Sequence, residues 1–438
     1  MTMVNAYDGS STAQLPADEK RLIAKREELL GPAYRLFYSK PIQIVRGEGV
    51  WLFDPEGNAY LDAYNNVASV GHCHPHVVEA LARQAAVLNT HTRYLNETVV
   101  AYAERLLGKF PADLGHVMFT CTGSEANDLA LRIAKSFTGR TGLIVTSNAY
   151  HGGTDTVAQI SPSLGPFVNL GEHVRLVAPP DTFHQPVERV GESFAQGVRA
   201  AIADLRRHGV ETAALIVDTI FSSDGVFVDP PGFLREAVAA VREAGGIFIA
   251  DEVQPGFGRT GDAFWGFQRH SVAPDMVTIG KPMGNGHPIA ALVVRHDVVE
   301  NFGRKSRYFN TFGGNPVSCA VGMAVLDVLE QENLQQSAKD VGAYFRQGLN
   351  TLSKRYPRIA DIRGAGLFIG VEIASNSTSQ DPAQLAAQIV NAMRERRVLI
   401  SATGPRGNIL KIRPPLVFSR ANVDLFLENL KDVLEDRS

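Results

Sequence analysis

Four short stretches of this chain carry side chains that could do chemistry if the fold exposes them. The first is Thr122-Gly123-Ser124-Glu125-Ala126-Asn127, after which Leu129, Ala130, Ile133, Ala134 and Phe137 continue an apolar stripe at helical spacing. A helix beginning at Gly123 and Ser124 offers backbone N–H groups and a hydroxyl to an anion, and the helix dipole adds to that attraction. Taken alone, the motif also reads as an ordinary N-cap. The second stretch is Tyr150-His151-Gly152-Gly153, just after the apolar run Leu143-Ile144-Val145. An aromatic ring at the carboxyl edge of a parallel sheet can stack on a flat ligand, though a surface ring beside a core histidine has the same local sequence.

In the third, the run Ile247-Phe248-Ile249-Ala250 ends in Asp251-Glu252-Val253-Gln254 and then Pro255-Gly256-Phe257-Gly258-Arg259-Thr260-Gly261. Two acids at the end of a buried strand are costly unless a cation or hydrogen-bond donors meet them, and a structural ion pair is the plain alternative. The fourth is Met276-Val277-Thr278-Ile279-Gly280-Lys281, followed by Pro282-Met283-Gly284-Asn285-Gly286. A lysine between a buried strand and a glycine-rich loop suits an amine nucleophile, because lysine shifts its pKa readily and forms Schiff bases. Together the four stretches supply an anion cup, a stacking ring, a carboxylate for a ring nitrogen and a reactive amine. Pyridoxal 5'-phosphate requires that set.

For these residues to meet, the chain between them must form a sheet. Leu215-Ile216-Val217 and Ala291-Leu292-Val293-Val294 join the runs above, and none alternates with polar residues. Such runs suit strands covered on both faces, as in a mainly parallel sheet with helices on either side. Phe194 to Arg207 and Phe233 to Ala244 read as those helices, which makes the core α/β. The flanks differ. A charged helix is expected over Asp18 to Leu30, then strands over Ile42 to Glu48 and Val50 to Phe53, with a turn at Asp54 to Asn58. A long helix starts near Pro316, Ala374 to Gln380 reads as a loop, and Asp381-Pro382 opens a helix with Leu385, Ile389 and Met393 on one face. Val398 to Ala402 is then a strand. The expected layout is a large α/β domain over residues 66–325 and a smaller α+β domain built from residues 1–65 and 326–438.

Composition excludes several classes. With 438 residues, 45% hydrophobic and 20% charged, the chain can bury a large core and is not disordered. Its 43 Lys+Arg against 46 Asp+Glu leave a net charge of -3 with no basic cluster, which argues against a nucleic-acid partner. No apolar run approaches the ~18 residues of a membrane span, and the polar start from Met1 to Lys20 has no signal-peptide core. Cys73, Cys121 and Cys319 are too few and scattered for a disulfide framework or zinc cluster. His72 and His74 lack a third ligand nearby and read as structural, so no metal is expected. The expectation is a soluble, cytoplasmic protein.

The chain resembles the class III, ω-aminotransferase-like family of fold-type I pyridoxal-phosphate enzymes, from about Gly47 to Phe418. The likeness rests on Gly71-His72-Cys73-His74-Pro75, Gly123-Ser124-Glu125-Ala126, Tyr150-His151-Gly152, Asp251-Glu252-Val253-Gln254, Gly280-Lys281 and Asn310-Thr311-Phe312-Gly313-Gly314-Asn315-Pro316. It implies that Lys281 carries the cofactor as a Schiff base and that Asp251 pairs with the protonated ring nitrogen. It further implies that Tyr150, in the Tyr150-His151 pair, stacks on one ring face, that Val253 packs on the other, and that Gln254 reaches the phenolic oxygen. Gly123 and Ser124 would bind the phosphate, and Thr311 would reach the phosphate of a neighbouring copy. That means a homodimer with shared sites, and pairing of dimers into tetramers is left open.

Within the family the sequence is most similar to ethanolamine-phosphate phospho-lyases and alanine–glyoxylate-aminotransferase-2-like proteins. Two departures from the aminotransferase pattern separate the readings. Lys411 stands where the family has a carboxylate-binding arginine, three residues before Pro414-Pro415, and Asp218-Thr219 replaces the start of Glu-Pro-Val. Lysine loses the bidentate fork for a planar carboxylate but keeps a point charge suited to phosphate. The expected activity is therefore elimination of phosphate from O-phosphoethanolamine or a similar small phosphorylated amine, giving aldehyde, ammonia and phosphate. Amino transfer to pyruvate, glyoxylate or 2-oxoglutarate is the second reading. Lys411, Arg413, Arg406 and Asn66 are the candidates for holding the substrate phosphate.

Overall fold

The computed structural model describes residues 5–375 and 381–436. Its first strands are short: β1 (Arg46–Glu48), β2 (Trp51–Phe53) and β3 (Ala59–Asp62) pair antiparallel in sequence order. Residues 42–45, expected as strand, are not in the sheet, and the helix expected from Asp18 runs over Ala17–Leu30 with no buried residue.

The central sheet follows, with β4 (His116–Thr120), β5 (Gly142–Thr146), β6 (Val174–Val177), β7 (Thr212–Asp218), β8 (Ile247–Asp251), β9 (Met276–Ile279) and β10 (Ala290–Val294). Their order is β4-β10-β9-β8-β7-β5-β6, and β10 is the strand that runs against its neighbours. This is the mainly parallel sheet that unalternating apolarity implies. Leu143, Val145, Ile249 and Leu292 pack with Leu129 and Ile133 of the helix Gly123–Thr138 on one face. Ile144, Phe248, Ala250 and Val293 pack on the other face with Phe194 and Val238, from the helices Val190–Arg207 and Arg235–Glu243. Each such fully buried large side chain contributes roughly 1.5–3 kcal/mol, so both layers hold the sheet firmly. Phe137, expected on the buried stripe, is exposed near the helix end.

The C-terminal part adds β11 (Ile359–Ala365), β12 (Phe368–Ile373), β13 (Val398–Leu399), β14 (Ser401–Thr403) and β15 (Ile409–Ile412). Four of them make an antiparallel sheet in the order β11-β12-β15-β14. The strand expected over Val398–Ala402 is broken at Ile400. Its first half, β13, pairs parallel with β3, while its second half, β14, pairs with β15. Ile400 itself is buried, and its carbonyl accepts from Tyr38 Oη at 3.0 Å, so the chain crosses between two sheets there. Residues 376–380 of the expected Ala374–Gln380 loop lie outside the described residues. No helix among the described residues is long and apolar enough to cross a membrane.

Candidate active site

Every parallel strand that the motifs flank delivers its residues at its carboxyl end, where open α/β sheets form crevices. Gly123 and Ser124 follow β4, Tyr150 and His151 follow β5, Asp218 ends β7, Asp251 ends β8 and Lys281 follows β9. Together they line a cavity of about 320 Å3 with Val253 and Gln254. A second cavity, of about 390 Å3, contains Asn66, Tyr64 and Arg413, and Lys281 and Val67 line both.

The anion cup is preorganised by a capping box. Thr122 Oγ1 accepts from the Glu125 N–H at 3.1 Å, and the Glu125 carboxylate accepts from the Cys121 and Thr122 N–H groups at 2.8 and 2.9 Å. The Gly123 and Ser124 N–H groups then have no acceptor among the described residues. Two glycines allow the close approach. A Cβ on Gly123 would meet Val253 Cγ2 at 3.0 Å, and one on Gly152, whose φ is 142°, would meet Ser124 Cα at 2.8 Å.

The two acids at the end of β8 go separate ways: hydrogen-bond donors meet Glu252, a histidine and an amide meet Asp251, and neither acid pairs with a Lys or Arg among the described residues. Glu252 turns into the core, where it accepts from Thr219 Oγ1 at 2.7 Å, Gly266 N–H at 2.6 Å and Phe267 N–H at 2.7 Å. Burial pushes its carboxyl up to about 7. Asp251 Oδ2 accepts from His151 Nδ1 at 2.7 Å and Asn127 Nδ2 at 3.0 Å, and Oδ1 accepts from the Val253 N–H at 3.1 Å. Asn127 and Thr278, whose hydroxyl donates to Asn127 Oδ1 at 2.7 Å, received no role from sequence reasoning. The available signal was a polar residue on the apolar stripe of a helix, facing another inside a buried strand.

Lys281 Nζ has no hydrogen-bond partner among the described residues. Burial first, then the Arg413 charge, lower its ammonium to about 8, against the pull of Asp251 and Asp218. Arg413 donates to Asn66 Oδ1 at 2.9 Å and Gln254 Oε1 at 2.7 Å, and lies 4.5 Å over the Tyr64 ring. Asn66 Nδ2 also donates to Gln254 Oε1, at 2.7 Å. Gln254 therefore spends its oxygen on this triangle and keeps only Nε2 for anything else in the cavity. Lys411 is buried on β15 with Nζ 5.8 Å over the Phe368 ring, near enough to Arg413, Lys281 and Asp218 to feel their charges. Burial, then Arg413, holds its ammonium well below the usual lysine range.

Three candidates line neither cavity: Lys411, which lies buried two residues before Arg413 in the chain, and Arg406 and Thr311. Arg406 is largely exposed and engages Glu372 at 2.7 Å and His184 at 3.1 Å, on the far side of β15 in the chain. Thr311 is exposed, beside Phe312 at 70% exposure, and does not reach the cavity of its own chain. His72 and His74 bind Asp62 and Glu332 at 2.7 and 3.0 Å, and no metal-binding cluster of three or more His, Cys, Asp or Glu occurs among the described residues.

The cavity suits pyridoxal phosphate on its own chemistry. It offers unsatisfied N–H donors at a helix start, a buried carboxylate, an exposed-face tyrosine and an unpaired amine. His151 Nε2 is in addition a buried polar atom without a partner among the described residues. Comparison with known proteins agrees. The family model described as aminotransferase class-III matches residues 37–434. An alanine–glyoxylate aminotransferase 2-like protein of Drosophila melanogaster is 42% identical, over 94% of this chain and 86% of its own length. Ethanolamine-phosphate phospho-lyase homolog 1 of Caenorhabditis elegans is 35% identical, over 96% of each. A phospholyase from Arthrobacter, solved in complex with phosphoethanolamine, superposes with a TM-score of 0.91 and 45% identity, covering 94% of this chain and 99% of that one.

Proposed function

This chain belongs to the class-III aminotransferase family of pyridoxal-phosphate enzymes, and we propose that within it the chain is a lyase that expels phosphate from O-phosphoethanolamine or a similar small phosphorylated amine. The observation that carries the reading is a pair of buried basic side chains, Lys411 and Arg413, neither of which makes an ion pair with a carboxylate among the described residues. Buried charge without a counter-ion is costly, which is why the Lys411 ammonium is held low, and an anion entering with the substrate would restore its proton and complete the site. A phosphate dianion answers two cations better than a single carboxylate does. Support also comes from the phosphoethanolamine-bound relative, at 45% identity.

The cofactor, when bound, supplies an aldehyde for the substrate amine and a sink for the electron pair left on the adjacent carbon. Gly123 and Ser124 would hold its phosphate, Tyr150 and Val253 its two ring faces, Asp251 Oδ1 its ring nitrogen and Gln254 Nε2 its phenolic oxygen. His151 supports Asp251 from behind. Lys281 Nζ takes the proton from the carbon that bears the amine, and an amine held near 8 is suited to receiving it at neutral pH. The C–O bond to phosphate then breaks, and phosphate leaves with its electron pair toward Lys411 and Arg413. The remaining amino-alkene hydrolyses to an aldehyde and ammonia.

Elimination needs no amino acceptor, whereas amino transfer consumes a keto acid in every turn. O-phosphoethanolamine given alone should therefore yield many equivalents of phosphate and acetaldehyde per active site. Lys411→Met should raise the KM for it by about ten- to a hundredfold, the range of a lost hydrogen bond to a charged group. Phosphate release that stops at one equivalent, with multiple-turnover amino transfer to pyruvate, glyoxylate or 2-oxoglutarate, would overturn the lyase reading.

Thr311 belongs to the same proposal as a contribution to a neighbouring copy's phosphate cup. Sedimentation should then give at least a dimer. Hybrids of Lys281→Ala and Thr311→Glu chains should recover activity that neither variant has alone. A fully active monomer would contradict it.

A further inference from the structure

Asp251 is held by a chain of side chains that runs away from the cavity. Asn127, His151, Asp251 and Thr278 are all nearly or fully buried. Asn127 Nδ2 donates to two groups that can only accept: Asp251 Oδ2, and the His151 carbonyl at 2.7 Å. Turning the amide over would set its oxygen against both. Its Oδ1 therefore faces Thr278, whose Oγ1 donates to it at 2.7 Å. Inside the core, where no water competes, each member fixes the polarity of the next. Asp251 Oδ2 is saturated by Asn127 and His151, so Oδ1, with one bond to the Val253 N–H, is the oxygen left with accepting capacity toward the cavity.

We infer that Thr278 and Asn127 are positioning residues that aim Asp251 Oδ1 at the cofactor ring nitrogen, although Thr278 lines neither cavity. The inference rests on the reading that Asp251 meets that nitrogen. Removing the Thr278 hydroxyl strands Asn127 Oδ1 as a buried acceptor without a donor, which loosens the amide and, through it, the carboxylate. A role confined to packing in β9 would alter stability alone. A positioning role alters recognition of one atom of the cofactor.

The test compares two ligands on the full-length chain freed of cofactor: pyridoxal phosphate and its 1-deaza analogue, in which a C–H replaces the ring nitrogen. Affinities are read by quenching of intrinsic fluorescence, and unfolding midpoints are recorded in parallel. The unmodified protein should prefer pyridoxal phosphate. Thr278→Val, which keeps the β-branched shape, should cut that preference about tenfold, and Thr278→Ser should restore it. Thr278→Ala serves as the second variant should valine perturb folding. A preference unchanged in Thr278→Val and Thr278→Ala, whatever happens to the unfolding midpoint, would overturn the inference while leaving the Asp251 reading intact. Equal affinity of the unmodified protein for both ligands would overturn that reading and the inference with it.

Discussion

Lys281→Ala should lose turnover by about four orders of magnitude or more, because one amine both captures the cofactor aldehyde and takes the substrate proton. The variant should still fold, since Nζ makes no hydrogen bond that the described structure depends on and the side chain borders two cavities. Cofactor binding should persist through the phosphate cup but without the covalent absorbance band. The lowered ammonium adds a quantitative arm. Only the neutral amine attacks an aldehyde, so in the cofactor-free protein the capture rate should rise with pH and level off above about 8. Between pH 7 and pH 9 the rise should be about tenfold, whereas an ordinary lysine would still be climbing steeply beyond pH 9. Stopped-flow absorbance measures both. Wild-type-like turnover in Lys281→Ala would refute the assignment, and a capture rate still climbing past pH 9 would refute the role given to burial and Arg413.

Much of this site could be read in advance because its residues follow strands that are apolar on both faces. A strand such as Ile247–Asp251 declares itself by lacking alternation, and the acid at its end is conspicuous for the same reason. Gly123 and Ser124 stand out through the capping residues around them, Thr122 and Glu125. What stayed hidden depends on partners distant in the chain. Asn127 looks like one more polar residue in a helix until Thr278 and Asp251, more than a hundred residues later, are brought against it. The apparent strand Val398–Ala402 divides because Leu61 claims one half and Leu410 the other. Arg406 is in reach of the site by sequence, only five residues before Lys411, yet it turns to Glu372 across the small sheet. Lys411 and Arg413 sit two apart on one extended segment, which suggests a shared face, but only packing reveals that both are buried, with no ion pair to a carboxylate among the described residues.

Asp251→Asn should slow the reaction by at least two to three orders of magnitude, the scale of losing a preorganised charge at a developing charge. The hydrogen-bond network explains why so conservative a change is severe. Asparagine has one donor end and one acceptor end, and the surroundings of Asp251 ask for acceptors on both sides. If the new amide oxygen keeps the bonds from His151 Nδ1 and Asn127 Nδ2, its NH2 group faces the Val253 N–H and the cavity. A ring nitrogen arriving there meets a donor in place of a negative charge. If the amide turns over, its NH2 group confronts the donors of His151 and Asn127 instead, and a buried cluster of donors is left without an acceptor. Neither orientation reproduces the carboxylate. Cofactor should still bind through Gly123, Ser124 and Lys281, so the loss should fall on kcat with little change in KM, and single-turnover kinetics on the loaded variant would show it. The neighbouring acid gives the rival account. Asp218 pairs in register with Asp251, lines the same cavity, and has its carboxyl raised by burial despite its bonds to Ser222 and Ile220. A near-normal rate in Asp251→Asn, abolished on adding Asp218→Asn, would transfer the role from β8 to β7.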